Sequence, residues 1–351
     1  MNNSKSGKKG KLRIVSVVVL LVVIAAGYFT YSNLSGPYDV NAEKKVIIEI
    51  PKGASLNQMA EILKDAKLIK NETVFKLNVK RSGRGAELKA GEYLFTQAYT
   101  NEEIINDIAD GKNYHSGPKV TVKEGETSRE IIDTLVGLGL GQESVYKELI
   151  SSPSKFRDKF SFLDDEKITS LEGFLYPSTY YCNEDDTEQE IIEKMLAKFD
   201  SEYSEKYRKI QEDKKLDFYD VIKMASIVEK EAVLDEDRPL IASVFYNRLK
   251  IDMALQSDAT IQYALGERKQ VVSYDDLKIE SPYNSYKYKG LPPTPIANPS
   301  IESIEAALEP ADTDYLYFVA KTDGGGNNYA KTYKEHLKNE KRYKEQREKN
   351  K

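Results

Sequence analysis

Residues 218–232, with the sequence FYDVIKMASIVEKEA, determine how this chain is interpreted, because one acid falls on the apolar side of a regular helical pattern. At 3.6 residues per turn, Glu229 lies about 20° from Phe218 on a helical wheel and shares that face with Ile222. Glu231 lies about 200° from Glu229, on the opposite face. We expect a helix that packs its apolar face into the core, with Glu229 directed inward and Glu231 directed toward water.

A carboxyl group in the position of Glu229 has two interpretations. In apolar surroundings a carboxyl loses hydration mainly in its charged form, which raises its pKa and keeps it protonated near neutral pH, as a general acid for a glycosidic oxygen requires. The alternative is structural: a buried Glu229 that forms an ion pair with Arg238 or Arg248. Its position in the helix is compatible with both.

The composition of the 351 residues excludes several classes of function. The net charge of −5, from 57 acidic and 52 basic residues, offers no basic surface that would neutralise phosphates, so we expect no nucleic-acid partner. The chain has one cysteine, Cys182, and two histidines, His115 and His336, which cannot assemble the usual zinc sites. We expect no metal, no cofactor and no histidine-based mechanism. The length predicts two or three folded units.

An uncharged segment near the N-terminus predicts a membrane anchor. Residues 14–31, IVSVVVLLVVIAAGYFTY, form 18 helical positions that cover about 27 Å, close to the hydrocarbon thickness. Basic residues precede the segment and none follows closely. The positive-inside rule therefore predicts a cytoplasmic tail at residues 1–13, a single-pass helix in the cell membrane at 14–32, and an extracellular remainder. A cleaved signal peptide is the alternative, which the bulky aromatic residues after the small ones disfavour.

Two strand-helix patterns follow the anchor. VIIEIPKGASLNQMAEILKDAKLI (46–69) and VTVKEGETSREIIDTLVGLGL (120–140) each predict a strand, a glycine turn and a capped amphipathic helix at matching spacing. We predict a membrane-proximal α+β module at 44–115 and a second strand-helix module at 118–165. Such a module is either a spacer or a carbohydrate-binding module similar to LysM.

The later part of the chain has a different character. Aromatic and turn-rich motifs crowd together after residue 168, so the functional domain is predicted at 168–340, followed by a charged tail at 341–351. Glycines 324–326 predict a hairpin tip, because no strand-glycine-helix context for a phosphate loop surrounds them. The predicted fold class is α+β behind an N-terminal transmembrane helix. Helices are predicted at 187–211, 218–232, 237–250, 258–265 and 300–309.

Six separated motifs carry a resemblance to a known family. They are LEGFLYPSTY (171–180), MASIVEKEA (224–232), SVFYNRL (243–249), LQSDATIQYALG (255–266), PYNSY (282–286) and GLPPTPIANPS (290–300). In this order they resemble the endolytic murein transglycosylases of the MltG (YceG-like) family, and with the anchor and the modules the match covers nearly the whole chain. Ser178 departs from the pattern, since the family commonly has aspartate there.

The resemblance implies an enzyme, a lytic transglycosylase that is a carbon–oxygen lyase. It implies cleavage of the MurNAc–GlcNAc bond of nascent peptidoglycan glycan strands with 1,6-anhydroMurNAc ends, which ends strand elongation. It further implies a LysM-like subdomain, an α+β catalytic domain at 168–340, and partnership with peptidoglycan synthases, the penicillin-binding proteins. The acid of the motif matching SIVEKE is catalytic in that family, which implies Glu229, in agreement with the helical wheel.

Further substrate-binding residues are predicted from their chemistry: Glu172, Gln256, Asp258, Tyr283, Asn284 and Tyr286. Amides can bind acetamido groups, tyrosines offer flat faces to sugar rings, and acids can orient or polarise. Each residue is equally compatible with a loop or cap hydrogen bond. Two rival functions stay open: a muramidase-type hydrolase with Glu172 or Asp258 as the second carboxylate, and a non-catalytic wall-binding scaffold for the synthases.

Overall fold

The structure is a computed structural model that describes residues 5–349, with side chains described from residue 14. Residues 1–4 and 350–351, which belong to the predicted tails 1–13 and 341–351, lie outside the described residues. The chain divides into two compact units, Met1–Ser116 and Gly117–Lys351.

The first unit begins with the helix α1, Lys5–Ser35, which contains the predicted anchor. Its part Ile14–Ser35 is long and apolar enough to cross a membrane, and its apolar side chains are exposed. Apolar side chains stay on the outside of a helix when the surrounding medium is itself apolar. The prediction of an N-terminal apolar helix of membrane-spanning length is confirmed.

The rest of the first unit is a small α+β fold. Two antiparallel strands pair with Lys45 opposite Thr96 and Ile50 opposite Gly91. The two helices between the strands pack Leu63 and Phe75 into a core with the strand residue Tyr93. In chain order, the elements are β1 (Lys45–Ile50), α2 (Leu56–Asp65), α3 (Glu72–Ser82), β2 (Gly91–Thr96) and α4 (Asn101–Asp110).

The second unit is a larger mixture of helices and short strands. Its elements are β3 (Lys119–Val122), α5 (Ser128–Gly137), α6 (Glu143–Ile150), β4 (Ser178–Tyr181), α7 (Glu188–Glu202), α8 (Glu205–Asp213), α9 (Phe218–Glu231), α10 (Arg238–Lys250), α11 (Asp258–Leu265), α12 (Ile301–Leu308), β5 (Tyr317–Ala320), β6 (Asn327–Ala330) and α13 (Tyr333–Lys349). β3 pairs with β4 and β5 pairs with β6, both antiparallel. The predicted α+β class and the hairpin between β5 and β6 are confirmed.

The two strand-helix patterns have the same local structure. The turn glycines Gly53 and Gly125 have positive φ angles of 78° and 72°, a conformation that glycine adopts at little cost. Ser55 and Thr127 then cap α2 and α5, each in a capping box with the residue three positions later. This chemistry is local, which explains why the sequence predicts it well.

The second pattern shares its core with the rest of the second unit. β3 forms its sheet with β4, so Val120 lies opposite Tyr180. One continuous cluster of buried residues extends from Val120 to Leu308 and includes most of α9. Residues 118–165 therefore fold together with the part of the chain that carries Glu229.

The helix predictions hold to within one residue at each end, with one exception. Instead of a single helix at 187–211 the structure has α7 and α8, separated at Tyr203 and Ser204. Tyr203 is fully buried and stacks on Phe199, and at ψ 63° it leaves the helical conformation. The ring of Tyr203 also packs 5.1 Å from that of Phe218, the first residue of α9, so a contact outside the helix accompanies the break.

Candidate active site

Glu229 lies in the last turn of α9, and only 6% of its side chain is exposed. Its Oε2 accepts three hydrogen bonds, from Ser300 N at 3.0 Å, Ser300 Oγ at 2.5 Å and Arg238 Nη1 at 3.0 Å. In the part of the chain that the structure describes, Oε1 accepts none. One oxygen is thus fixed by the protein, and the other keeps its hydrogen-bonding capacity.

The surroundings of Glu229 differ from the apolar pocket expected for it. The expectation of an apolar setting is wrong, because Arg238 and Ser300 contribute three polar donors. The alternative pairing with Arg238 is present, whereas Arg248 donates to the carbonyls of Leu316 and Leu255 instead. The residues of α9 beside Glu229 are apolar, but residues outside this helix place hydrogen-bond donors next to the acid.

Arg238 connects three elements around the acid. It is the first residue of α10, and its guanidinium also donates to Asp235 at 3.0 Å and to the hydroxyl of Ser303 in α12. Only 10% of the Arg238 side chain is exposed. Both partners of this ion pair have lost their hydration. The pair is therefore stable only because its geometry and its additional hydrogen bonds replace the lost water.

The segment 296–300 runs along α9 and holds Glu229 from one side. Ile296 N donates to Ser226 Oγ at 3.0 Å, and one helical turn later Ser300 binds Glu229. Between them, Asn298 is fully buried and its Oδ1 accepts from Gly173 N and Leu175 N, both at 2.9 Å. The proline-rich motif therefore orients the acid through its last residues.

The loop between β3 and α5 covers the same end of α9. Gly125 N donates to Asn298 O and Asn298 N donates to Glu126 O, both at 2.9 Å. Lys230 Nζ donates to Gly125 O at 2.9 Å, and a Cβ added to Gly125 would lie 3.5 Å from Glu229 Cγ. The strand-helix pattern that precedes the functional domain in sequence thus contributes directly to the site.

The electrostatics of this surface are acidic. The pKa of Glu124, the residue before Gly125, is raised. Partial burial is the largest cause, and the negative charge of Glu229 is the second. Glu302 and Asp235 add to this effect and Arg238 opposes it. An acidic surface favours the development of positive charge on a bound sugar ring.

Glu172 forms a second buried centre. It is 4% exposed and accepts from Ser128 N at 2.9 Å, Asn298 Nδ2 at 3.2 Å and the Tyr263 hydroxyl at 3.2 Å. Burial raises its pKa from 4.5 to about 7, against the opposing effect of the hydrogen bonds from Ser128 and Tyr263. Through Asn298, Glu172 supports the segment that positions Glu229.

This pKa predicts how stability depends on pH. Between its ordinary value and about 7, Glu172 holds a proton in the folded protein that the unfolded chain has released. The free energy of unfolding therefore falls as pH rises through this window, by about 3 kcal/mol in all. We expect Glu172→Gln to remove this part of the fall, because an amide does not titrate there.

Chemical denaturation of the full chain in detergent at pH 5 and pH 8 measures the effect. Tyrosine circular dichroism can follow it, since the chain has 24 tyrosines and no tryptophan. Glu166→Gln is the matched control, because Glu166 is an exposed acid nearby and its replacement should leave the fall intact. An equal fall in wild type and Glu172→Gln would contradict the prediction.

The other predicted substrate-binding residues form separate groups. Tyr283 packs its ring 4.9 Å from that of Tyr263, which brings it next to Glu172. Tyr286 donates its hydroxyl to Asp258 at 2.6 Å, at the first residue of α11. Neither group makes a hydrogen bond to Glu229.

Gln256 and Asn284 have structural contacts in the same region. Gln256 is exposed, has a φ angle of 50°, and donates its backbone N–H to Ser285 O at 3.1 Å. Asn284 is fully buried, and its side-chain amide donates to Leu277 O and Ile279 O, both at 2.9 Å. The amide of Asn284 therefore holds its own loop together, and only Gln256 is accessible.

The expectation that Glu231 points toward water is wrong. Its carboxylate accepts from Ser257 Oγ at 2.5 Å, and burial raises its pKa. α9 packs against α12, α10 and α11, so the side of the helix opposite Glu229 is covered as well. A helical wheel separates the two faces but does not show that both are buried.

Several residues of the site were missed by sequence reasoning. They are Glu124, Lys230, Tyr263, Asn298 and Ser300. Asn298 and Ser300 lie in the motif 290–300, so a signal for them was present. Glu124 lies in the strand-helix pattern 120–140, and nothing in that pattern points to a distant helix.

Comparisons with known proteins agree with this architecture. The YceG-like family model matches residues 48–342. A relative from Bacillus subtilis (strain 168), named endolytic murein transglycosylase, is 37% identical over 336 residues, or 92% of this chain and 91% of the relative. A relative of the same name from Streptococcus pneumoniae (serotype 2, strain D39) is 32% identical over 357 residues, or 94% of this chain and 64% of the relative.

A solved structure gives the same result. The crystal structure of a yceG-like protein from Listeria monocytogenes is 37% identical and matches with a TM-score of 0.58. The match covers 84% of this chain and 99% of the Listeria chain. The resemblance predicted from the six motifs is confirmed, and the chain belongs to the YceG-like family.

Proposed function

We propose that this protein is an endolytic murein transglycosylase that cuts the MurNAc–GlcNAc bond of nascent glycan strands with Glu229 as its acid and base. One observation carries the assignment of the acid: the protein fixes Oε2 of Glu229 with three donors and leaves Oε1 available. The names of the relatives from Bacillus and Streptococcus support the substrate and the reaction.

In the first half of the reaction, the protonated form of Glu229 gives a proton from Oε1 to the glycosidic oxygen. The bond between that oxygen and the anomeric carbon breaks, and the GlcNAc side leaves as an alcohol. Arg238 and Ser300 stabilise the carboxylate that results, because their donors already surround Oε2. Acidic residues such as Glu124 stabilise the positive charge that develops on the MurNAc ring.

In the second half, the C6 hydroxyl of the same MurNAc attacks its anomeric carbon. Its proton passes to the Glu229 carboxylate, which restores the acid, and the product has a 1,6-anhydro end. An internal nucleophile has a high effective concentration, so the protein needs to orient the sugar and exclude water rather than activate a second molecule. A strand with such an end cannot be extended there.

A muramidase-type hydrolase would need a second carboxylate near the bond. The two acids considered for that role have other partners: Glu172 is buried with Ser128, Tyr263 and Asn298, and Asp258 binds the Tyr286 hydroxyl. We therefore expect the full chain in detergent to release 1,6-anhydromuropeptides from purified glycan strands. Mass spectrometry distinguishes these products from those with reducing ends, whose mass is 18 Da higher because water has been added. A majority of products with reducing ends would overturn the transglycosylase assignment.

The anchor and the first unit define where the reaction takes place. The order β1-α2-α3-β2 with antiparallel strands supports a LysM-like role in binding glycan. We place the N-terminus in the cytoplasm and the site outside, where a glycan-binding unit can work beside a peptidoglycan synthase. Protease added to wall-free cells should degrade the chain beyond α1; protection of these residues would reverse the orientation.

A further inference from the structure

A cavity of about 490 Å³ opens beside the site, in the second unit. The start of α5, the end of α9 and the length of α11 form its walls, and Glu172 and Ile296 line it as well. Its volume falls within the range of small-ligand pockets. The sugar-cutting acid Glu229 does not line the cavity, but the next residue, Lys230, does.

Three cations line the cavity without an acidic partner. Arg129 donates to Gly266 O at 3.1 Å and Lys230 to Gly125 O at 2.9 Å, so both bind backbone carbonyls. Arg268 makes no hydrogen bond among residues 14–348, and none of the three cations forms a salt bridge within that range. Burial lowers the pKa of Lys230 and the charge of Arg268 acts in the same direction, whereas the charges of Glu130, Glu229 and Glu172 oppose this shift.

The nearby acids make their hydrogen bonds and salt bridges to other groups. Glu130 uses its carboxylate in the capping box of α5, where it accepts from Thr127 N at 2.8 Å and Thr127 Oγ1 at 3.0 Å. Glu172 is buried and hydrogen-bonded, and Glu267 pairs with Lys269 at 3.3 Å. The lining therefore holds three cations and four acids, and the three cations form no salt bridge within the cavity, so they can bind the carboxylates of a ligand.

The remaining groups narrow the class of ligand. Asp133 lines the cavity and has no hydrogen bond or salt bridge in the part of the chain with described side chains, so its carboxylate can bind an amino group of a ligand. Gln262 and the ring of Tyr263 add an amide and a flat apolar surface. A ligand with several carboxylates, peptide bonds and one amino group matches this set. A plain polyphosphate has no positive group to bind Asp133, and an uncharged sugar has no negative group to bind the cations.

We propose that this cavity binds the short acidic peptide that a muramic acid carries in a murein strand, and that it holds the peptide through its carboxylates. The inference rests on the proposed function, because it assigns a subsite to the same substrate. Lys230 and Glu229 are neighbours in α9 and both contact the loop at Gly125. A peptide in the cavity therefore fixes the position of its own sugar relative to the acid.

The test compares two forms of the same strands, one with intact peptides and one from which an amidase has removed them. Full-chain wild-type protein in detergent should have a kcat/KM about tenfold higher on peptide-bearing strands, since one charge-assisted hydrogen bond contributes about 1.5 kcal/mol or more. Arg129→Gln and Arg268→Gln should each lower the ratio of the two kcat/KM values, and the double variant should bring it close to one. Lys155→Gln is the matched control, because Lys155 is an exposed cation of the same unit outside the cavity, and it should keep the wild-type ratio.

Each outcome decides one of the two proposals. A wild-type ratio near one, or arginine variants that lower both kcat/KM values equally, would overturn the peptide subsite and leave the transglycosylase intact. Absence of anhydro ends from both strand types would instead count against the proposed function. A direct measurement supports the kinetics: a free muramyl tetrapeptide should bind the wild-type chain in calorimetry and bind the Arg268→Gln chain about tenfold more weakly.

Discussion

Glu229→Gln is expected to lower kcat for glycan cleavage by about a thousandfold while the protein stays folded. Positioned proton transfer contributes roughly 10²–10⁴ to a rate, and a glutamine cannot give or take the proton. The amide oxygen of glutamine can still accept from Arg238 and Ser300, so the contacts that hold the side chain are kept. The loss is therefore chemical rather than structural.

Release of 1,6-anhydromuropeptides by the full chain, measured over time, quantifies this loss. Asp220→Asn is the matched control, because Asp220 is an exposed acid of the same helix and its replacement removes the same charge. The control should cut at the wild-type rate. Normal release by Glu229→Gln would show that another group donates the proton, and unchanged strand lengths in cells that carry it would favour the scaffold function.

Arg238→Met should cause the largest loss of stability among single changes in the site. Removal of one partner from a buried ion pair costs about 3–5 kcal/mol, because the remaining charge has lost its counter-charge and is shielded from solvent. Here the remaining charge is Glu229, which is 6% exposed, and Ser303 loses a donor as well. The variant should also cut more slowly, since Oε2 of Glu229 is no longer fixed from that side.

A double-mutant cycle separates charge from packing. In the Glu229→Gln background, Arg238→Met should cost clearly less than in wild type, because no unpaired carboxylate remains. Urea denaturation of the full chain in detergent gives the four free energies of unfolding. Arg208→Met is the control, since the pair of Arg208 with Asp200 is more exposed and should be worth no more than about 1 kcal/mol. Equal costs in the two backgrounds would mean that the ion pair does not contribute to stability.

The sequence predicted what local chemistry determines. The capping residues Ser55 and Thr127 and the helical pattern of α9 depend on neighbours a few positions away, and they were located correctly. The position of Glu229 on the buried face of α9 was also predictable. These features follow from chain geometry alone.

The errors concern contacts between residues far apart in sequence. Ser257 lies 26 positions after Glu231 and donates the hydrogen bond that holds this acid inside the protein. Ser300 lies 71 positions after Glu229 and makes the surroundings of that acid polar instead of apolar. A helical wheel shows which residues share a face, but it does not show what that face meets. The partner strand of β3 is β4, which lies beyond residue 168, so residues 118–165 share a core with the later part of the chain, and local sequence patterns do not show this contact.

The shared core of residues 117–351 has a consequence for recombination between relatives. A chimaera joined near residue 168 would take β3 and β4 from different parents and would combine the Gly125 loop of one relative with α9 of another. A crossover between Ser116 and Gly117 exchanges complete folding units instead. Gene exchange among such wall enzymes is therefore expected to preserve function at that junction and to destroy it at the later one.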